Sequence, residues 1–468
     1  MKQLTGAGAG RKAFGSGRLA LCAGLSLFSI ASTLSHAELP RHLDLLVASR
    51  TYGTLFAVDL ATGQIRSIVT GPDLRNAGKP VRGTGTLLAG ALSGDLGTSR
   101  DGRIFWKLAP ASGTTATYQI AAATGNRTGL FGTGSAINEA NGAPLMLNAR
   151  TLLLGADGFN QTFSQNSRIL RYPLPSGPVS IVSGETIGDG VQLFRGRTLA
   201  FGEDHAVYVA EIGTLGTVTS AGVYRVDLAT GFRTLISRTG SLPLFRYNVT
   251  NGVQTPTTLS WDRGTGPVTN GQIRSIAYRS GKLYLGVSSS VNSVFYSAII
   301  RIDIATGDRD IVVGTALADD GTGATLLTVS PSNAGAPPFD SASGLTVLAD
   351  GTIAFTSLFT HNTICRLNPD TRELTLIADL GPQVTADVRG KMNFTSLTQF
   401  TDCPGDLNLD GVVDDADFVI FVQAYDVLDC ADAAMPPPCG ADLNGDLFVD
   451  DGDFVGFVGG YNGLLCEN

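Results

Sequence analysis

At 468 residues the chain is long enough for more than one domain, and with 16% charged residues, 59 glycines and only four histidines its composition is that of a packed protein rather than a disordered one. The formal net charge of −8 is unevenly placed, because residues from 401 onward carry no Lys or Arg while the remainder is mildly basic. That basic part contains no Lys/Arg run, which sets nucleic acid aside as a partner, and its apolar residues lie in short runs rather than along helical faces, which favours a mainly β body.

The first residues have a secretory pattern. Lys2, Arg11, Lys12 and Arg18 precede the apolar run Leu19–Ala31, and Ser35-His36-Ala37 offers small residues on the near side of a cleavage point. Residues 1–37 are therefore read as a signal peptide and the mature protein as secreted, extracellular in location. The apolar run is too short for a permanent anchor and no second one of spanning length follows, so no membrane span is expected. Cys22, preceded by Leu19-Ala20-Leu21, lacks the small residue that a lipid-modified cysteine needs before it. Five cysteines remain, and pairing is expected in an oxidising compartment. Cys365, in the strand-like run TICRL, reads as a small buried apolar residue.

Residues 38–400 repeat a phrase. VDLATG occurs at Val58–Gly63 and at Val226–Gly231, and IDIATG at Ile302–Gly307; weaker copies stand at Ile120–Gly125, Tyr172–Gly177 and Leu367–Arg372. Each runs from an apolar strand into a tight turn and on into a second β-rich run such as FRTLISR. Ahead of most copies lies a further hairpin, as in RSIAYRSGKLYLGVS, so one unit is a four-stranded sheet of roughly sixty residues, the size of a propeller blade. The first unit lacks its opening strand, and FTSLTQF at Phe394–Phe400 supplies a spare one after the last. A six-bladed β-propeller closed by both ends of the body follows, with seven blades as the alternative. Long polar segments, EIGTLGTVTSAG, SSSVNSVFYSA, SLFTHNT and a 33-residue insertion from Ser241 holding Trp261, Asp262 and Arg263, read as loops on one side of the blades.

Residues 401–468 contain DLNLDGVVDDADF and, 36 positions later, DLNGDLFVDDGDF. Neighbouring carboxylates repel, so such segments make sense around a cation. Oxygen donors fall at positions 1, 3, 5, 9 and 12 of a twelve-residue calcium loop. In the first copy these are Asp406, Asn408, Asp410, Asp414 and Asp417, with the Val412 carbonyl at position 7 and Gly411 making the turn. In the second they are Asp442, Asn444, Asp446, Asp450 and Asp453, with the Phe448 carbonyl. So many protein oxygens suit Ca²⁺ better than Mg²⁺. DFVIFVQAY and DFVGFVGGY follow, placing Phe418, Phe421, Val422 and Tyr425, and Phe454, Phe457, Val458 and Tyr461, on two helical faces able to bury each other. No entering helix precedes either loop.

This duplicated loop-then-helix pattern, about 60 residues in extent, resembles a type I dockerin, the calcium-binding module of cellulosome-type secreted proteins. The resemblance implies a small α-helical domain over 401–468, two bound Ca²⁺, a pseudo-twofold arrangement and attachment to a cohesin-like or cell-surface partner. It also places partner-reading residues at loop positions 10 and 11, here Asp415-Ala416 and Asp451-Gly452. Loop two carries Leu447 where the turn prefers glycine, and a left-handed backbone costs a branched residue roughly 1–2 kcal/mol, so its calcium site is expected to be the weaker. Four tail cysteines allow three connectivities; if the helices run antiparallel, Cys403–Cys466 with Cys430–Cys439 is favoured over pairing within each repeat.

The propeller itself carries no nucleophile elbow, HExxH or paired-cysteine motif. As a binding and scaffolding module it would present Trp261, Phe295, Tyr296, Phe359 and His361 to a glycan or protein, consistent with a polysaccharide-associated protein. As an enzyme it would look like the lactonase-type six-bladed propellers, with Glu203, Asp204 or Asp340 at a channel metal. No spacing singles out a catalytic residue.

Overall fold

A computed structural model of the protein describes most of residues 40–466. Residues 1–39, and with them the expected signal peptide and Cys22, lie outside the described residues, as do several connecting stretches, the longest being 70–81, 86–93, 109–115, 132–143, 157–167 and 380–393. Contacts divide the chain into Met1–Ala37 and Glu38–Asn468, and everything below concerns the second unit.

Six sheets succeed one another along the chain. The first combines Leu45–Ser49, Thr54–Val58 and Ile65–Val69 with Phe394–Gln399 from the far end of the body. The second runs Gly94–Thr98, Ile104–Leu108, Ala116–Ile120, Arg127–Phe131, and the third Pro144–Asn148, Thr151–Ala156, Arg168–Pro173, Ser180–Ser183. The fourth is built on Gly196–Phe201, Ala206–Leu215, Val218–Asp227 and Arg233–Thr239, the fifth on Gln272–Arg279, Lys282–Val291, Val294–Asp303 and Arg309–Leu317, and the sixth on Ser343–Val347, Ile353–Ser357, Thr363–Leu367 and Leu374–Asp379. The opening strand of each sheet touches that of the next, and the sixth touches Phe394–Gln399 of the first, which closes the ring. The protein is a six-bladed β-propeller, and the seven-bladed alternative falls.

Burial explains why the strands read as short apolar runs. Leu45–Ser49, Thr54–Val58 and Ile353–Ser357 are buried at every position, since each sheet is covered on both faces. Alternate residues serve opposite neighbours: Leu45 and Val47 pack with Leu348, Ala354 and Ile364 of blade six, while Leu46 and Ala48 pack with Leu96, Ile104 and Trp106 of blade two. Comparable apolar clusters join blades two and three, three and four, four and five, and five and six. Cys365 is fully buried in the last of these and forms no disulfide.

The recurring ATG phrase is the joint between blades. The Asp227 carboxylate accepts from the amides of Ala229 and Thr230 at 3.1 and 2.7 Å, and the Gly231 N–H donates to the Asp227 carbonyl at 2.8 Å. Asp59 and Asp303 do the same in their own turns, and Asn368 does it in blade six. The closing glycine has a left-handed backbone, φ 71° at Gly231 and 82° at Gly307. It also presses on the outer strand of the preceding blade: a Cβ there would lie 2.3 Å from the Val182 carbonyl oxygen at Gly231 and 2.4 Å from that of Ile236 at Gly307. Only glycine fits both demands. Two residues later an arginine is buried in the same seam. Arg233 donates to Ser183 Oγ (2.8 Å) and the Val191 carbonyl (2.7 Å), and Arg309 donates to Ser237 Oγ (2.9 Å) and the Pro267 carbonyl (2.8 Å).

Three of the expected loops are otherwise. EIGTLGTVTSAG and SSSVNSVFYSA prolong hairpins of paired ten-residue strands, Ala206–Leu215 with Val218–Asp227 and Lys282–Val291 with Val294–Asp303. Their Ser, Thr and Gly content reads as loop, but cross-strand pairs such as Ser288 with Ser297 continue the ladder. The insertion from Ser241 supplies a hairpin, Phe245–Asn248 with Val253–Pro256, joined to the outer edge of blade four through Gly190–Val191.

Candidate metal centre

After blade closure the chain forms two loop-helix repeats. Helix α1 is Asp415–Tyr425 and helix α2 is Asp451–Tyr461. Asp414 and Asp450 are their N-caps, each in a capping box with the Asp three residues on, so the acids satisfy helix-start amides that would otherwise lack acceptors.

The loops match bond for bond. Asp406 Oδ1 and Oδ2 accept from the amides of Asp410 (3.1 Å) and Gly411 (2.9 Å); Asp442 accepts from Asp446 (3.1 Å) and Leu447 (3.1 Å). Asp417 Oδ1 accepts from Leu407 and Asn408 at 2.7 and 2.9 Å, and Asp453 Oδ1 from Leu443 and Asn444 at the same two distances. The side-chain oxygens of Asn408 and Asn444 each accept from the amide of the next Asp, at 2.9 Å. The amides of Val412 and Phe448 donate to Asp410 and Asp446 at 3.0 Å.

Ligand atoms of Asp406, Asp410 and Asp417 all lie within 4.8 Å of one another, as do those of Asp442, Asp446 and Asp453. At an effective dielectric constant near 20, each ionised pair at that range costs roughly 3 kcal/mol, while Asp406, Asp417 and Asp453 are fully buried. Converging carboxylates, two buried and one exposed in each loop, with adjacent amide oxygens fit a hard divalent cation. Of the twelve residues expected to bind metal, three per loop are thus brought together. Asn408 and Asn444 sit beside them in the loop, Asp414 and Asp450 serve as caps, and Val412 and Phe448 occupy their backbone positions.

The sequence reading singled out Leu447, and its φ is indeed 79°. It overlooked Leu409, which stands at loop position 4 with φ 63°. Each loop therefore holds one left-handed leucine, and backbone strain alone does not rank loop two below loop one.

Both helices contribute to one small core. Phe421 and Phe457 are buried and stack at 4.9 Å, while Phe418 and Phe454 are 41% exposed and touch the opposite helix with one edge. Tyr425 at the end of α1 donates to Asp451 at the start of α2 (2.5 Å), and Tyr461 reciprocates on Asp415 (2.5 Å), so the helices are antiparallel. Disulfides join Cys403 to Cys466 and Cys430 to Cys439, the pairing that an antiparallel arrangement favours.

Loop one is also gripped by the propeller. His42 Nε2 lies 2.7 Å from Asp406 Oδ2 and its Nδ1 lies 3.2 Å from Asp402 Oδ1, with the imidazole only 3% exposed. Burial pushes the imidazole pKa down, but the hydrogen bonds to Asp402 and Asp406 and their charges outweigh it and raise it to about 8. Burial likewise pushes the Asp406 carboxyl up, and His42 with the Gly411 amide more than offsets this, holding it below the usual range. Arg100, in the first turn of blade two, donates to the carbonyls of Asp406 (3.3 Å) and Leu407 (3.4 Å). Nothing local in the sequence marks His42 or Arg100, because 364 and 306 positions separate them from Asp406.

Around the ring the picture differs. The central channel holds a cavity of about 300 Å³ lined by all six inner strands, and its described lining residues include no Asp, Glu, Asn or His. Glu203, Asp204 and Asp340, with Trp261, Asp262, Phe359 and His361, lie outside the described residues. Phe295 is 45% exposed, but Tyr296 is buried with Val268 and Leu317, so the two do not form one aromatic face. Arg263 belongs to the blade seam, its carbonyl accepting from Arg309 at 3.0 Å. Among the described residues no helix is long and apolar enough to cross a membrane.

The sequence matches no family model and no curated protein. Solved structures with a similar chain trace include TolB from Acinetobacter baumannii (14% identity, TM-score 0.42, 77% of this chain and 66% of that one). Others are a protein of unknown function from Bacteroides caccae (10%, 0.41, 77% and 99%) and the PQQ-bound aldose sugar dehydrogenase of Streptomyces coelicolor (15%, 0.37, 77% and 94%). At such values the likenesses add nothing on function to the propeller read from the sheets.

Proposed function

We propose that the protein is exported and works as a calcium-stabilised attachment protein. In this reading the propeller is the recognition body for a glycan or protein, and the dockerin-like C-terminal module binds two Ca²⁺ and fastens the molecule to a cohesin-like or cell-surface partner. The observation that carries it is the duplicated loop, in which three carboxylates converge within 4.8 Å at the same positions twice. Asp406, Asn408, Asp410, the Val412 carbonyl, Asp414 and Asp417 would hold one ion, and Asp442, Asn444, Asp446, the Phe448 carbonyl, Asp450 and Asp453 the other. A bound cation supplies charge neutralisation; the loops' own amides pre-set the carboxylates, and the capping boxes pass that order to the helices.

Calorimetric titration of the chelator-treated full chain with Ca²⁺ should show two sites, lost together in Asp410→Ala/Asp446→Ala. Calcium at a hundredfold excess over Kd should stabilise the chain by about 2.7 kcal/mol for each site filled. Absence of both heat and stabilisation would remove the metal reading. Capture of secreted or cell-wall components on the immobilised chain, with and without Ca²⁺, tests the attachment role.

A further inference from the structure

The seam between propeller and tail assigns loop one a second task. Backbone pairing runs straight from the ring into the module: Leu43 N–H donates to the Phe400 carbonyl (2.8 Å), Phe400 N–H to Asp44 (2.7 Å) and Gly102 N–H to Thr401 (3.1 Å). His42 Nδ1 lies 3.2 Å from Asp402 Oδ1, and Nε2–H donates to the Asp406 carboxylate, which can only accept, at 2.7 Å. Asp406 is at once the first acid of loop one, fully buried, and the group that His42 holds. Its Oδ2 is shared by His42 and the Gly411 amide, while Oδ1 takes the Asp410 amide. Arg100 takes the carbonyls of Asp406 and Leu407 from the other side.

We propose that occupancy of loop one by a divalent cation and docking of the tail on the propeller are one coupled equilibrium, with His42 as the positioning residue that links them. The inference rests on the reading of loop one as a cation site. His42 and Arg100 hold the first acid and its backbone in place before a cation arrives, so docking raises affinity; by reciprocity the cation tightens docking by the same factor. The module is then a fixed extension of the ring when calcium is plentiful, and a swinging one when it is scarce.

The test uses the full chain with loop two disabled by Asp446→Ala, titrated with Ca²⁺ alone. Replacing His42 by Ala should weaken the remaining site roughly tenfold, the loss expected when a hydrogen bond to a charged group is removed. His42→Gln, which keeps an N–H donor, should recover part of that loss if geometry rather than mere folding is at stake. In the His42-containing protein, Ca²⁺ should slow hydrogen exchange at the Gly102 and Asp402 amides by a similar factor. Equal affinity in all three proteins, together with unchanged exchange, overturns the coupling and leaves the metal site standing. No calcium binding in the Asp446→Ala chain overturns the metal reading and this inference with it.

Discussion

At the scale of single residues, the two loops divide the same strain differently. Leu409 and Leu447 each hold a backbone that a branched side chain adopts at a cost of roughly 1–2 kcal/mol. Leu447 is 46% exposed, so its side chain loses little when removed. Leu447→Gly is expected to stabilise the chain by about 1 kcal/mol and to tighten loop two severalfold, as measured by melting and calcium titration. Leu409→Gly should do the same for loop one. The sequence made half of this visible: position 6 is where a calcium loop demands glycine, so Leu447 stood out, whereas position 4 has no such rule and Leu409 did not. The capping Asp residues were legible as acids at the right spacing, but their use on the helix ends was not, because the same spacing serves metal and amide alike.

At the scale of the element, the ATG turn was the most legible unit of the body, since its acid, small residues and glycine each answer a local backbone demand. What local rules could not show was that the glycine faces a neighbouring blade, or that Arg233 and Arg309 are inserted behind it. The turn also has a pH signature. Burial pushes the Asp227 carboxyl up, but the Thr230 amide, the Thr230 hydroxyl and the Ala229 amide outweigh it and hold the group below its ordinary value. Asp303 is lowered by Lys282 first and then by the Thr306 amide. A carboxyl depressed in the folded state contributes stability that is complete above the unfolded value of about 4 and is lost as pH falls through the folded value. Asp227→Asn should therefore keep the turn, as Asn368 does natively, and flatten the fall of melting temperature below about pH 4. The long hairpins were misread because Ser, Gly and Thr are turn residues by composition and strand residues once a ladder partner is present.

At the scale of the whole molecule, six-fold repetition and the displaced strand Phe394–Gln399 were both readable, because a repeat that starts one strand late must be completed from elsewhere. The contact of His42 with the tail was not, since it exists only when the two ends of the body have met. That closing strand has a definite energetic weight. Leu397 and Phe400 are 4% and 2% exposed, and losing two such side chains costs several kcal/mol, a large part of the roughly 5–15 kcal/mol available to a domain. A chain ended after Asn393 should lose cooperative melting. Grafting residues 394–400 ahead of Leu43 through a short linker should restore it, because Gln399 and Leu45 are register partners.

The same strand pair has a mechanical consequence. The tail leaves the ring directly from Phe394–Gln399, the innermost strand of the first blade. A load entering at the tail and leaving through a ligand elsewhere on the ring would thus run along that strand and be resisted by its ladder to Leu45–Ser49 in shear, all bonds at once, rather than peeled one by one. A molecule tethered in flowing liquid would, by this wiring, yield first at its own clasp.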